Sequence, residues 1–298
     1  MLAVVVGLGS AIIFGAADFL GGLSSKRLGA VFATAFAALA GLIFLILFSF
    51  AIPGEVSPKA LLLGSLSGVT GATAIGLLYA ALAIGPMSIL SPLTAVVSAI
   101  VPLCVAVAAG EPIGAVGWIG LAVGLVAIVL VGFVPEKGAV RPTLKGLLMS
   151  VGSGVAIGAF LIIIDQAPDE SGLWPLIANR ATNMTIMFAI AAVLGILAVT
   201  ARRRAAASGL EPAPRRTREA WRVGLVIAVA CGVIDAIANA GLLWGVRIGD
   251  LSVMAVLTAL YPLGTIILAA IVLKERIAPV QYVGLALAIT AGALLALD

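Results

Sequence analysis

The sequence predicts an all-α integral membrane protein with ten transmembrane helices, arranged as two five-helix repeats of inverted orientation. Three observations predict this fold class: an apolar composition, apolar runs of membrane-spanning length, and an internal repeat. Of the 298 residues, 63% are hydrophobic and 10% are charged, whereas soluble domains carry about 25% charged residues. The chain has too few polar side chains to cover a surface that faces water, and we expect it to lie in a lipid bilayer.

The apolar runs are continuous and lack the alternation of β-barrel strands. Backbone polar groups must be paired in lipid, so a spanning chain forms either helices or a closed barrel. Barrel strands alternate apolar and polar residues, and these runs do not, which favours helices. Breaks at charges, prolines and glycines give runs of spanning length. The predicted helices are 2–22, 28–50, 60–83, 87–109, 115–133, 145–165, 173–199, 222–246, 251–272 and 280–297.

Two of the connections between these helices are long, 134–144 and 201–221. The first separates a repeat at 1–133 from a second repeat at 145–298. The second contains half of the arginines and is predicted to be a solvated loop. It can serve as a topology anchor beside anionic lipid, or as a site for nucleic acid or a regulatory lipid. We favour the anchor and expect no nucleic-acid partner, because aromatic residues are not interleaved with the arginines.

The basic residues are distributed unevenly between the two ends of the helices. Of the 17 Lys and Arg residues, all but Lys59, Arg180 and Arg247 lie in connections that follow odd-numbered helices. Cytoplasmic connections of membrane proteins carry an excess of Lys and Arg. The distribution therefore predicts cytoplasmic odd-numbered connections and external termini, in a plasma (inner) membrane.

An internal repeat is visible when the ends of the two halves are aligned. The stretch EPIGAVGWIGLAVGL, which begins at Glu111, matches ERIAPVQYVGLALAI, which begins at Glu275, at an offset of 275 − 111 = 164 residues. Gly120 and Gly284 match at the same offset. Because five helices are an odd number, the second half must enter the membrane inverted. Inverted repeats are typical of secondary transporters, whose binding site lies near the membrane midplane.

These paired motifs, together with YAALAIGPMSILSPL before the first of them, resemble the EamA family of the drug/metabolite transporter superfamily. The resemblance covers almost the whole chain. It implies a ten-helix fold in which helices 1, 3, 4, 6, 8 and 9 surround a central cavity and helices 5 and 10 pack behind. It also implies export or permeation of a small organic solute. Better-known members have both termini in the cytoplasm, which conflicts with the charge distribution.

Small residues recur at four-residue spacing in several predicted helices. Examples are Gly68 with Ala72 and Gly76, Gly154 with Gly158, and the glycine at position 124 with that at 120. Such spacing allows helix backbones to approach closely where lipid provides no hydrophobic drive for association. We expect most of these glycines to serve helix packing.

The sequence argues against several other functions. It contains no His, which removes the commonest general base and metal ligand. It also lacks a P-loop motif and a nucleophile–base pair. We therefore expect no enzymatic activity, no cofactor and no bound metal. Because the two repeats are fused in one chain, a monomer is sufficient for transport, and a dimer is the alternative.

Ionisable residues inside the apolar runs are the main candidates for a site. Such a residue costs about 2.5–3.5 kcal/mol at the membrane centre and is typically functional. Asp235 lies near the middle of helix 8, and Asn239 follows one turn later. A substrate or proton site and a structural ion pair are both open for Asp235. Arg180, with Asn183 on its face of helix 7, is either the partner of Asp235 or Asp165 or an anchor for an anionic substrate.

Further candidates lie nearer to the helix ends and around prolines. Asp18 is close to the end of helix 1, where an interfacial salt bridge with Lys26 or Arg27 competes with a role in the site. Prolines 92, 102 and 262 are expected to interrupt helices 4 and 9, with hydroxyl groups around a cavity; ordinary kinks are the alternative. Aromatic candidates form either a membrane-interface belt or a stacking wall. The remaining candidates are Thr94, Thr258, Tyr261, Tyr79 and Trp244.

These residues lead to a functional expectation with named alternatives. We expect a secondary transporter, an exporter of a small organic metabolite or drug, that works by alternating access and is driven by a proton or substrate gradient. In this transporter Asp235 would either change its protonation or bind a cationic group. An antiporter of sugar phosphates or nucleotide sugars is the first alternative, although its anionic cargo would need several cations in the cavity. An integral membrane enzyme or an accessory subunit is the alternative of another class.

Overall fold

A computed structural model describes residues 1–84, 87–110, 113–132, 143–208, 217–262, 264, 268, 271–272 and 279–297; for some of these, among them Lys26 and Tyr79, it describes the backbone alone. The predicted connection 134–144 and the matched residues Glu111 and Glu275 lie outside the described residues. Regular structure in the described part is helical. The helices are α1 (Leu2–Leu28), α2 (Ala30–Ser49), α3 (Pro58–Ile84), α4 (Met87–Ala108), α5 (Ala115–Gly132), α6 (Leu144–Asp165), α7 (Trp174–Ala207), α8 (Arg218–Ile248), α9 (Leu251–Thr258) and α10 (Pro279–Leu297).

Six of these helices, α1 to α3 and α6 to α8, are long and apolar enough to cross a membrane by length and composition. Shorter apolar stretches lie in α4, α5 and α10. The all-α fold class predicted from the sequence is therefore confirmed for the described residues. The count of ten spanning helices stays a prediction.

Three helices are longer than predicted. α1 continues to Leu28 and ends at Gly29, whose φ of 88° is accessible to glycine without the steric cost that a side chain would bring. α7 continues to Ala207, and α8 begins at Arg218, so the predicted loop 201–221 is helical at both ends. That part of the loop prediction is wrong, since Ala and Arg are strong helix formers and charge alone does not end a helix.

Pro262 divides the ninth helical region, as predicted. α9 ends at Thr258, four residues before the proline. A proline ring clashes with the carbonyl of the residue four positions earlier and cannot donate to it. The carbonyl of Thr258 instead accepts from the backbone N–H of Tyr261 at 3.0 Å, in a tighter turn.

The corresponding prediction for helix 4 is wrong. α4 runs from Met87 to Ala108 through both Pro92 and Pro102. Prolines are tolerated inside membrane helices where neighbouring protein surrounds them. Here α6 lies close by: a Cβ atom added to Gly158 would lie 3.2 Å from the Cδ atom of Pro102.

The contacts between helices reflect the internal repeat, because corresponding helices of the two halves have corresponding neighbours. Exchanging each helix of the first five with its counterpart in the second five turns the α3–α6 contact into α8–α1. It also turns the α3–α7 contact into α8–α2, and all four of these pairs pack together. The pairs α2–α7, α4–α9 and α5–α10, which each map onto themselves, also pack together.

Two glycines at the repeat offset bring helix backbones into contact at equivalent crossings. Gly68 of α3 and Gly232 of α8 are separated by 232 − 68 = 164 residues. A Cβ atom on Gly68 would lie 2.6 Å from the backbone oxygen of Asn179 in α7, and one on Gly232 would overlap the backbone oxygen of Ala37 in α2. The packing role predicted for Gly68 is confirmed. Gly76, by contrast, faces open space.

An apolar cluster fills one end of the helix bundle. It lies where α2 ends, α6 ends, α7 begins, α8 ends and α9 begins, which is the end that carries the even-numbered connections. We call this the even end, and the opposite one the odd end. Large buried members of the cluster are Leu45, Leu161, Leu176, Leu242 and Met254. The cluster separates the middle of these helices from the even end.

Candidate functional site

A small cavity with three charged side chains lies among α1, α2, α3, α7 and α8. Its wall includes Asp18, Arg180, Asn183, Cys231 and Asp235, and its volume is about 50 Å³. We call it the charged cavity. Pockets for organic ligands usually measure about 300–1,000 Å³, while one water needs about 10–15 Å³. In this conformation the cavity can hold a few waters or a small ion.

An ion pair spans the charged cavity between α7 and α8. Nη2 of Arg180 pairs with Oδ2 of Asp235, and the two side chains are 9% and 27% exposed. Gly41 of α2 leaves room for the arginine, since a Cβ atom there would lie 3.6 Å from Cδ of Arg180. One turn after Asp235, Nδ2 of Asn239 donates to the backbone oxygen of Asp235 at 2.8 Å. The pairing proposed from the sequence for Arg180 and Asp235 is thus present.

Two polar atoms at the charged cavity have no hydrogen-bond partner among the described residues. They are Nε of Arg180 and Oδ1 of Asn183, and Asn183 is only 2% exposed. Leaving a buried polar group unpaired costs about 1–3 kcal/mol, and such groups in native proteins usually bond to water or a ligand. Arg180 and Asn183, which line the cavity, therefore have one donor and one acceptor that no described residue satisfies.

Asp18 lines the same cavity, and the residue is exposed. Across the described side chains the salt bridges are Arg180–Asp235 and Arg247–Asp169, so Asp18 has no counter-ion in that part of the chain. The interfacial salt bridge with Arg27 is absent, and the Lys26 side chain is outside the described part. Two carboxylates and one guanidinium give the charged cavity one negative charge in excess when all three are ionised.

The hydroxyl-bearing candidates do not meet in this cavity. Thr94 is fully buried, and its hydroxyl donates to the backbone oxygen of Leu90 at 3.0 Å and to that of Ser150 at 3.2 Å, which joins α4 to α6. Thr258 is buried in α9, and Tyr261 packs against an apolar cluster formed with α4 and α5. These contacts serve the packing of helices in this conformation.

The aromatic candidates are also separate from the cavity. Trp244 is 51% exposed on the outside of α8, which suits a membrane-interface position. Tyr79 belongs to α3, and its side chain lies outside the described part.

Sequence reasoning missed the contributions of α2 and of Cys231. Cys231 lies one helical turn before Asp235 and hence on the same face, and its Sγ donates to the backbone oxygen of Ala17 at 3.2 Å. That spacing is a signal that was available. The α2 residues at the cavity, such as Thr34 and Ala38, carry no charge, and no pattern singles them out.

A second, wider cavity of about 420 Å³ opens at the even end. The ends of α4 and α6 and the start of α9 form its wall, with Asp165 and Asp250 at its edge. The helices that the resemblance places around one central cavity are therefore divided here. Helices 4, 6 and 9 line the wider cavity, whereas helices 1, 3 and 8, joined by 2 and 7, line the charged one.

Hydrogen bonds close the even end above the charged cavity. Nη2 of Arg247 donates to the backbone oxygens of Pro168 at 3.2 Å and Gly172 at 3.1 Å. The backbone N–H of Glu55, in the α2–α3 connection, donates to the backbone oxygen of Glu170 at 2.7 Å. Nε1 of Trp174 donates to Gly54 in the same connection at 3.1 Å. Together with the apolar cluster beneath them, these bonds cut the charged cavity off from the even end.

Comparisons with known proteins agree with this architecture. One solved crystal structure is 16% identical, covers 99% of this chain and 98% of that chain, and has a TM-score of 0.70; at this identity the likeness concerns the fold alone. No curated protein matches the chain. The EamA-like transporter family matches residues 1–133 and 144–297. Since these two parts cover nearly the whole sequence, the protein belongs to the EamA-like transporter family and is a multi-pass membrane protein of the transporter type.

Proposed function

We propose that this protein is a secondary transporter that exports a small organic metabolite or drug across the plasma membrane by alternating access, with the charged cavity as its binding site. The observation that carries this proposal is the charged cavity itself. Three ionisable side chains lie within membrane-length helices, where each is costly. Arg180 and Asn183, which each have a polar atom without a hydrogen-bond partner among the described residues, line the same cavity, which favours binding over a purely structural role.

The charges of the cavity favour one class of solute. Asp18 and Asp235 oppose Arg180, so a cationic group or a proton balances the excess carboxylate. A sugar phosphate or nucleotide sugar would need several cations. Among the described residues of the wall Arg180 is the only cation, and Asp235 already pairs with it. The antiporter alternative is therefore less well supported.

Alternating access explains why hydrogen bonds close the charged cavity towards the even end in this conformation. A volume of about 50 Å³ is too small for an organic solute, so solute binding requires one end of the bundle to open. The hydrogen bonds of Arg247 and Glu55 would break when the even end opens. We propose ten spanning helices, with halves at 1–133 and 145–298 rocking against each other, and one chain is sufficient for this cycle.

The test begins with ligand-induced stabilisation of the purified protein across a library of small metabolites. A ligand at about 100 times its Kd stabilises the folded state by about 2.7 kcal/mol. Each stabilising compound is then followed as a radiolabelled solute in counterflow, using liposomes that contain only this protein. We expect flux in wild type and weaker binding in Asn183→Leu. Thr185→Val, on the exposed face of the same helix, is the matched control.

The outcomes separate the classes of function. Compounds that stabilise the protein but never cross the membrane would contradict transport and favour an accessory subunit. Chemical conversion of a compound would indicate an enzyme. Flux with unchanged affinity in Asn183→Leu would place the binding site elsewhere.

Orientation can be tested with cysteines introduced one at a time into a Cys104→Ala background. Position 208 lies at an odd connection and Glu170 at an even one, and both are exposed. Ser171 is buried and is unsuitable. If the odd connections are cytoplasmic, an impermeant thiol reagent on intact cells labels position 170 and spares 208. The reverse pattern would assign the orientation of the better-known family members.

A further inference from the structure

The two carboxylates of the charged cavity are not equivalent. Asp235 has a counter-ion, since Nη2 of Arg180 pairs with its Oδ2 atom. Asp18 has none among the described side chains, and it is an exposed residue in the wall of the cavity. One carboxylate is therefore held in an ion pair, and the other is available to a mobile ion.

The surroundings of Asp18 contain few groups that could compete with it. α8 contributes Asp235 and Cys231, and the thiol of Cys231 already donates to a backbone oxygen of α1. α7 contributes Arg180. α2 contains no charged residue, and neither does the described part of α9. On α1 itself, Lys26 and Arg27 follow two turns later, towards the odd end.

We propose that Asp18, rather than Asp235, is the carboxylate that takes up and releases the proton exchanged during transport. This inference rests on the proposed function and replaces Asp235 in the role predicted from the sequence. A carboxylate oxygen of Asp18 accepts a proton from water when the cavity opens to one side and returns it to water on the other side. The O–H bond is the only covalent bond that forms and breaks.

The ion pair explains why Asp235 is unsuited to this task. Protonation of Asp235 would leave the guanidinium of Arg180 buried without its counter-charge, which is costly. Protonation of Asp18 removes the one excess negative charge of the cavity and leaves the Arg180–Asp235 pair intact. The pair then stays in place beside the site of exchange.

Dicyclohexylcarbodiimide tests this assignment without requiring a transported solute. The apolar reagent reacts with a protonated carboxyl group: the carboxyl oxygen bonds to the carbodiimide carbon, and the proton moves to its nitrogen. The adduct then rearranges to a stable N-acylurea that mass spectrometry locates on a peptide. Purified wild-type protein is treated across a pH series. We expect the modification on Asp18, decreasing as the pH rises, and none on Asp235.

Two variants complete the experiment. In Arg180→Gln, Asp235 loses its counter-ion, and we expect it to become modified as well as Asp18. In Asp18→Asn, modification at position 18 is lost, while Asp235 stays unmodified because its ion pair remains. If Asp18→Asn does not fold, the wild-type result still decides the question. Modification of Asp235 with Asp18 spared would overturn the proposal, and so would modification of neither carboxylate at any pH.

The carbodiimide experiment and the transport assay test different claims, so either can fail while the other succeeds. Absence of flux in liposomes would contradict the proposed function, whereas the labelling pattern reports on Asp18 alone. Where a transported solute is found, Asp18→Asn should retain counterflow exchange and lose uphill transport driven by an imposed pH difference. Full gradient-driven transport by this variant would also overturn the proposal.

Discussion

The crossing of α3 with α7 and the crossing of α8 with α2 share one backbone arrangement and differ in their side chains. In both, a glycine at the repeat offset brings the helix against a carbonyl of its neighbour, Gly68 against Asn179 and Gly232 against Ala37. At the first crossing, Nδ2 of Asn179 donates to Oγ of Ser67 at 2.9 Å. This polar contact joins two uncharged side chains.

The charged pair of the cavity has no counterpart in the other half. The offset of 164 residues relates Asp235 to Gly71. The equivalent carbonyls of Asn179 and Ala37 give an offset of 179 − 37 = 142 residues, which relates Arg180 to Ala38. At both crossings the glycine contacts only backbone atoms and uncharged side chains, so close helix packing does not depend on the charged pair. Charges that packing does not require are the best candidates for function.

The largest effect is expected when the charged pair is broken. Arg180→Gln leaves Asp235 without its counter-charge, which commonly costs about 3–5 kcal/mol. We expect a large loss of folded protein and a lower melting temperature, and the double variant Arg180→Gln with Asp235→Asn should recover most of the loss. Fluorescence-detected size exclusion and thermal unfolding in detergent measure both. A wild-type melting temperature for Arg180→Gln would show that the pair contributes little to folding.

The second prediction tests the equivalence of the two crossings. Gly68→Ala and Gly232→Ala each place a Cβ atom against a backbone oxygen, and overpacking of this kind costs about 1–3 kcal/mol. We expect similar decreases in melting temperature for the two variants. Gly76→Ala, where the added atom meets nothing within 4 Å, is the matched control. A decrease in only one of the two variants would break the comparison on which the functional argument depends.

The sequence predicted the fold more completely than the site. Composition, spanning length and the repeat offset are properties of the chain alone, and they led to the helices, whereas the family was reached through the resemblance of the paired motifs. The cost of burying charge in lipid singled out Asp235 and Arg180. It could not show that Arg180 pairs with Asp235 rather than with Asp165, because that depends on how α7 and α8 cross.

Two other features could not be predicted because they also depend on how the helices pack. The α2 wall of the charged cavity consists of small, uncharged residues, so no local pattern distinguishes it from any lipid-facing helix. The two prolines of α4 look like the proline after α9 in sequence, yet α4 stays continuous. Whether a proline breaks a membrane helix depends on neighbouring helices, and these are set by tertiary packing.

The smallest effect on stability is expected at the crossing of α3 with α7, where Ser67 and Asn179 form a hydrogen bond between uncharged side chains. Ser67→Ala removes the acceptor of Asn179 Nδ2, and the loss of one such hydrogen bond costs about 1 kcal/mol. We expect a slightly lower melting temperature and no change in the pH dependence of carbodiimide modification at Asp18, since neutral groups do not titrate there. Thr73→Ala, an exposed hydroxyl on the same helix, should change the free energy of unfolding by less than about 0.5 kcal/mol. If Ser67→Ala moved the pH dependence at Asp18, the two crossings would be coupled through the cavity, and the α3–α7 crossing would also contribute to the function assigned to the cavity.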